Sequence, residues 1–210
     1  MTSTSDAVYT RGFHTPVSDA QHVFRSVLDA MARPTTPHPV HVDLAPPPPL
    51  GTVAAAVVLT LCDEHTPLWL DTPLRSNDLV AQWIRFHTGA PVVDDAAAAS
   101  FALASGPQHA PALDDLDAGS DMSPHASATL IIDIRDTAGS QAPLVATGPG
   151  VPGAVTWDGR GLPPGMLSYR ADHESAFPQG IDLILADHES VSALPRTTRL
   201  ESLETRSENV

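Results

Sequence analysis

Lysine is absent from this 210-residue chain: its eleven basic residues are all arginine, against 25 acidic ones, for a formal charge of −14. Without a lysine the chain can form no Schiff base to pyridoxal phosphate, cannot act as a Schiff-base aldolase, and has no Walker A phosphate loop. The acidic balance opposes general attraction to nucleic acid or to anionic lipid, both of which are held mainly by clustered Lys and Arg. An anionic ligand therefore has to be held locally, by arginine or by backbone N–H groups. Cys62 is the single cysteine, so neither an intrachain disulfide nor a cysteine-based zinc site is available. Long apolar runs are missing too: the longest, Val53 to Leu61 with Thr60 inside it, falls far short of the roughly 20 residues that cross a bilayer. Met1 to Thr10 is polar and lacks the pattern of a signal peptide, so the expectation is a soluble cytoplasmic protein.

What is present suits a globular fold. Hydrophobic residues make up 42% and charged ones 17%, which excludes collagen, coiled coil and wholesale disorder. A chain of this length buries roughly 70 to 75% of its unfolded surface. One α/β domain over residues 14–198 is expected, between a disordered lead over 1–13 and a weakly ordered polar tail over 199–210.

Ser18-Asp19-Ala20-Gln21 matches a capping box, and Val23, Phe24, Val27, Leu28 and Met31 recur at helical spacing until Pro34 stops the helix. Val40, Val42 and Leu44 alternate as a short strand, followed by the stiff Pro46 to Pro49 run. Thr52 to Leu61 has both helical and strand character; Thr52 after Gly51 as an N-cap favours helix. Leu68 to Leu70 reads as a strand, and Ser76 caps a helix with Leu79, Trp83 and Phe86 on one face and Gly89 as its stop. Further strands are expected at Phe101–Ser105, Ser127–Ile134, Leu144–Thr147, Ala154–Trp157 and Ile181–Ala186, with a helix within Pro164–His173 and a solvated acidic loop over Asp114–Asp121. Alternating strands and helices argue for a three-layer α/β/α sandwich with a mixed sheet. The pentapeptide Ala171-Asp172-His173-Glu174-Ser175 returns as Ala186-Asp187-His188-Glu189-Ser190, too short to mark a repeat.

Several constellations could carry chemistry. Asp63-Glu64-His65 sits between a helix and a strand, where a metal could be held, although a solvated turn explains it as well. His38 and His41 face opposite ways on a strand and do not suit one ion. Cys62 with His65 or His87 would form a nucleophile, although a lone Cys after an apolar helix is more often inert filler. The turn Thr147-Gly148-Pro149-Gly150 could cradle an anion on its N–H groups at Gly148 and Gly150, or simply turn the chain. Leu194-Pro195-Arg196-Thr197-Thr198-Arg199 gathers two guanidinium groups and two hydroxyls. It suits a phosphate or carboxylate, a partner's acidic surface, or an intrachain salt bridge.

Several separated strings resemble one family. These are Pro16-Val17-Ser18-Asp19-Ala20-Gln21 with Phe24-Arg25; Ala30-Met31-Ala32-Arg33-Pro34; Leu61-Cys62-Asp63 with Thr66-Pro67-Leu68-Trp69; Phe86-His87-Thr88-Gly89-Ala90-Pro91; Ala128-Thr129-Leu130; Gly148-Pro149-Gly150; and Phe177 to Ile184 running on to Leu194-Pro195-Arg196-Thr197-Thr198. In this order they are similar to the PhnH family, the H subunit of the bacterial carbon–phosphorus lyase system for phosphonate degradation.

The resemblance implies a fold like the large domain of pyridoxal-phosphate-dependent transferases without the cofactor, and a homodimer that joins G, I and J subunits. In that system an alkylphosphonate displaces adenine from ATP, giving a ribose 1-phosphonate 5-triphosphate. The nucleosidase chemistry is ascribed to the I subunit, so H is expected to be accessory, with no cofactor or metal of its own. It names no catalytic residue; His87, Thr88, Gly89, Gly148, Gly150, Arg196 and Thr197 are the binding or interface candidates. Two rival readings remain: an independent metal-assisted enzyme using Asp63, His65 and His87, and a stand-alone nucleotide or phosphonate binding module.

Overall fold

A computed structural model describes residues 10–139 and 143–203. Seven strands make the main sheet: β1 (His38–Pro39), β2 (Leu68–Leu70), β3 (Val92–Val93), β4 (Phe101–Ala104), β5 (Thr129–Asp133), β8 (Asp182–Ala186) and β9 (Ser190–Leu194), in the order β1-β9-β8-β5-β4-β2-β3. The five strands from β3 to β8 pair in parallel, and β9 is antiparallel to both its neighbours, so the sheet is mixed. A second, antiparallel sheet holds β6 (Leu144–Thr147) between β7 (Val155–Trp157) and β10 (Arg199–Ser202).

Alternation along the strands divides the core into two. Leu70, Leu103, Ile131, Ile184 and Ala193 lie in register across the main sheet and are all buried on one face. That face is covered by three helices, α1 (Pro16–Ala32), α2 (Thr52–Leu61) and α4 (Asp78–Thr88), through Val23, Val27, the Val53 to Val58 run, Trp83 and Ile84. Between β2 and α4 lies one further turn of helix, α3 (Thr72–Arg75). Ala102, Leu130, Ile132, Leu183 and Leu185 point the other way, against α5 (Met166–Asp172) and against Leu113 and Leu116. The molecule is thus a mixed α/β fold with both sheet faces covered, which is why β5 tolerates an unbroken apolar run.

The structure corrects several expectations. Helix α1 starts at Pro16 rather than Ser18: Thr15 is the N-cap, and Asp19 reaches back to accept its N–H at 2.8 Å. Pro16 fits the first helical position because no intrahelical partner exists there for an N–H. Phe24 and Leu28 do not share the buried face of Val23 and Val27; they are 50% and 57% exposed. On α4 the cap is Asn77, not Ser76, and the buried side chains are Val80, Trp83 and Ile84, with Phe86 largely exposed. In the 38–44 stretch only His38 and Pro39 pair as a strand, and Val40 adds one bond to Glu189 O. The alternation of Val40, Val42 and Leu44 survives as burial without a ladder.

The expected tail overlaps β10, whose residues Arg199 to Ser202 pair antiparallel with Thr147 to Leu144, and Leu200 packs on the second core. A polar segment is held here because backbone bonds and one apolar side chain suffice at a sheet edge. Residues 204–210 lie outside the described residues, as do 1–9 of the expected lead. Thr10 to Phe13 are docked: Thr10 O accepts Trp83 Nε1–H at 3.0 Å, and Phe13 packs on the first core. The acidic loop is anchored by buried Leu113 and Leu116. The two copies of the pentapeptide take different structures, a helix end followed by a 3-10 turn and a strand end followed by a hairpin turn.

Candidate functional site

A cavity of about 420 Å³ opens beside α5, bounded by Phe177 to Ile181, by Arg196 to Glu201 and by Gly148 and Pro149. It brings together three of the residues singled out from sequence: Gly148, Arg196 and Thr197. Gly148 has φ +124°, and a Cβ there would lie 2.7 Å from Thr197 O, so the β6 exit turn and the Arg196 loop meet only because the side chain is a hydrogen. Gly150 is packed instead against the end of α1, where its Cβ would meet Ala32 O at 2.2 Å.

Arg196 is committed to the fold. Its Nη2 and Nε donate to Asp182 at 2.5 and 3.2 Å, and Nη1 donates to Pro124 O and Pro178 O at 3.1 Å each. Of the uses open to it in the sequence, the geometry realises the intrachain salt bridge, with both partners mostly buried.

Arg170 was invisible as a site residue in the sequence, yet it forms the cavity's inner wall. Its four Nη hydrogens go to carbonyls: Leu194 O and Thr198 O at 2.9 Å, Pro195 O, and Ile181 O at 3.5 Å. Among the described residues no carboxylate pairs with it, and its Nε has no partner. Burial lowers its pKa to about 10, against the opposing pull of Asp182. Two more wall atoms are buried without a partner, the Tyr169 hydroxyl and Thr198 Oγ1. Burial and then the charge of Asp114 push the Tyr169 phenol above its ordinary value. The Tyr169 ring stacks on His173, centroids 4.2 Å apart.

The remaining candidates lie elsewhere. His87 Nε2 is 3.1 Å from Thr10 O, and its ring meets Trp83 edge-on at 4.6 Å. Thr88 Oγ1 donates to Ile84 O and accepts Ala90 N–H, and Gly89 takes the left-handed cap of α4. These are helix-ending contacts. Asp63 closes a turn by accepting His65 N–H and bonding with Thr66, and His65 is exposed. Among the described residues no group of three or more His, Cys, Asp or Glu is gathered for a metal, so Asp63, His65 and His87 do not form the ligand set the rival reading needs. Cys62 is buried with its thiol pushed up to about 12, chiefly by desolvation, so the nucleophile reading loses its thiolate.

A network missed in the sequence lies at the carboxyl ends of β2 and β4. Buried Asp71 accepts Leu74 N–H at 2.9 Å, Ser105 N–H at 2.7 Å and Ser105 Oγ–H at 2.6 Å, and Ser105 Oγ is 3.1 Å from His109 Nδ1. No spacing rule links residues 71 and 105; only the β2–β4 register puts them side by side.

The chain is thus a mixed α/β protein with a seven-stranded sheet, one member antiparallel, and an arginine-lined cavity. Residues 11–201 match the family described as bacterial phosphonate metabolism protein (PhnH), and the chain belongs to that family. A relative from Rhizobium meliloti, named alpha-D-ribose 1-methylphosphonate 5-triphosphate synthase subunit PhnH, is 41% identical over 92% of this chain and 96% of its own length. A protein of Stutzerimonas stutzeri named "Putative C-P lyase subunit protein HtxG" is 35% identical over 49% of this chain and 51% of its own. No helix among the described residues is long and apolar enough to cross a membrane.

Proposed function

We propose that this chain is an accessory subunit of the carbon–phosphorus lyase core complex, needed for the synthase step in which an alkylphosphonate displaces adenine from ATP. The observation that carries this reading is near full-length similarity to a protein named as a subunit of that synthase. The side chains support an accessory role: the Cys62 thiol is buried and its pKa raised, Arg196 is spent on Asp182, and His87 is spent on the backbone of Thr10. The lysine-free sequence and the mixed sheet are compatible with a transferase-like scaffold that holds no pyridoxal phosphate.

The partners are a second copy of this chain and the G, I and J subunits. We assign the second copy to the outer face of α1, where Val17, Phe24 and Leu28 stand exposed at helical spacing. The end of α4, with exposed Phe86 beside His87, Thr88 and Gly89, is assigned to another subunit. Purification of the untagged chain from cells expressing the whole set of subunits tests the reading. Co-elution of G, I or J is expected; elution of this chain free of all three overturns it.

A further inference from the structure

Arg170, Tyr169 and Thr198 meet in one wall of the cavity, each with a buried polar atom that lacks a partner. Tyr169 and Thr198 are 8% and 1% exposed, so their hydroxyls have given up water without replacing it. Two of the three lining arginines are neutralised: Arg196 by Asp182, and Arg199 by Glu174 at 2.9 Å on the exposed rim. Glu201 lies exposed on the same rim. Arg170 alone has no carboxylate within salt-bridge distance among the described residues: its hydrogen bonds go to carbonyl oxygens, and Asp182 acts on it only at longer range. Phe177, Ile181 and Leu200 supply apolar wall, and the volume falls within the ordinary range for small-molecule sites, about 300 to 1,000 Å³.

We propose that this cavity is an oxyanion site that takes the phosphoryl or phosphonate end of a small organic ligand, bound by the charge and the free Nε–H of Arg170 with the hydroxyls of Thr198 and Tyr169. One charged N–H beside two hydroxyl donors suits the several oxygens of such a group, and the apolar wall receives the organic part. The Tyr169 and Thr198 hydroxyls are buried, so ligand binding requires small side-chain turns that re-aim them into the cavity. The inference stands on the cavity's own chemistry and does not require assembly with other subunits.

Calorimetric titration of the full-length chain with inorganic phosphate, methylphosphonate and ATP, each at millimolar concentration, tests it. The variants Thr198→Val and Tyr169→Phe remove only atoms that have no protein partner, so both are expected to fold and to melt no lower than the parent. The parent should bind at least one probe, and Thr198→Val should weaken that probe about ten-fold, the loss expected for one hydrogen bond to a charged group. Tightest binding of phosphate identifies a free-anion site, of methylphosphonate a phosphonate site, and of ATP a nucleotide site; all three uphold the proposal. Absence of binding by every probe, or unchanged affinity in both variants, overturns it. Because these measurements use the isolated chain, they can fail while co-elution with the other subunits succeeds, and the converse.

Discussion

The carboxylate of Asp133, at the end of central strand β5, accepts the backbone N–H of Gly51 at 3.0 Å across 82 residues of sequence. Gly51 is the N-cap of α2, so a single side chain satisfies an orphan donor at the helix start and fixes that helix to the sheet. Burial raises the Asp133 pKa, against the lowering effects of Arg135 and of the N–H donors. A carboxyl whose folded pKa lies above its unfolded one binds its proton more readily when folded, so its charged form costs stability as pH rises from about 4. Asp133→Asn keeps an acceptor and never ionises. Its stability relative to the parent should therefore improve between pH 4.5 and pH 7 in denaturant titrations. A difference that stays flat or shrinks with rising pH would contradict the assignment.

Asp187 behaves oppositely. Burial alone would raise its pKa, but hydrogen bonds from Arg160, at 2.5 and 3.0 Å, and from His188 N–H outweigh this and leave it lowered. Its contribution is present above the unfolded pKa near 4 and lost as pH falls through the lower folded value. Asp187→Ala should cost about 1 to 3 kcal/mol at pH 7, since Arg160 loses its charged partner. The cost should diminish on acidification below pH 4, read from chemical denaturation.

Arg196 is held by a mostly buried carboxylate and by two carbonyls. Arg196→Met should destabilise the fold by about 3 to 5 kcal/mol, the usual penalty for stranding one member of a buried pair. A variant that melts like the parent and loses only a binding activity would return Arg196 to a ligand-binding role.

Gly150→Ala should be severe, because the added methyl meets Ala32 O at 2.2 Å and the φ of +79° is itself strained for alanine. Gly153→Ala, with similar φ but open space, should cost only the backbone strain, about 1 to 2 kcal/mol. Equal melting temperatures for the two variants would refute the close approach of this turn to α1.

Phe24→Glu combined with Leu28→Glu alters side chains already half in water, so folding stability should change by no more than about 0.5 kcal/mol. Light scattering should report a monomer for this variant and a dimer for the parent. A parent that is monomeric at high concentration removes the face assigned to α1.

Element types follow from local signals wherever those signals are strong. Thr52–Leu61 is a helix as expected, although its N-cap is Gly51 rather than Thr52, Leu144–Thr147 has the expected strand limits, and the lysine-free composition excludes Schiff-base chemistry by a side-chain amine. The sequence also carried the family, because ordered strings survive gaps in the loops.

The site was less legible. Gly148, Arg196 and Thr197 do border one cavity, but the turn from Thr147 and the loop from Leu194 reveal neither that they adjoin nor that Arg196 is occupied by Asp182. Nothing in the local sequence marks Arg170; the carbonyls of Leu194, Pro195 and Thr198 converging from 24 to 28 residues away make it a buried cation with no carboxylate in salt-bridge contact among the described residues. Helical periodicity puts Val23, Phe24, Val27 and Leu28 on one shared face of α1, whereas the structure buries only Val23 and Val27 and leaves Phe24 and Leu28 half in water. Those outcomes were decided by the tertiary structure, because strand register and loop approach set which charges meet and which apolar faces stay wet. Propensity and capping act within a few residues along the chain, whereas those contacts span dozens.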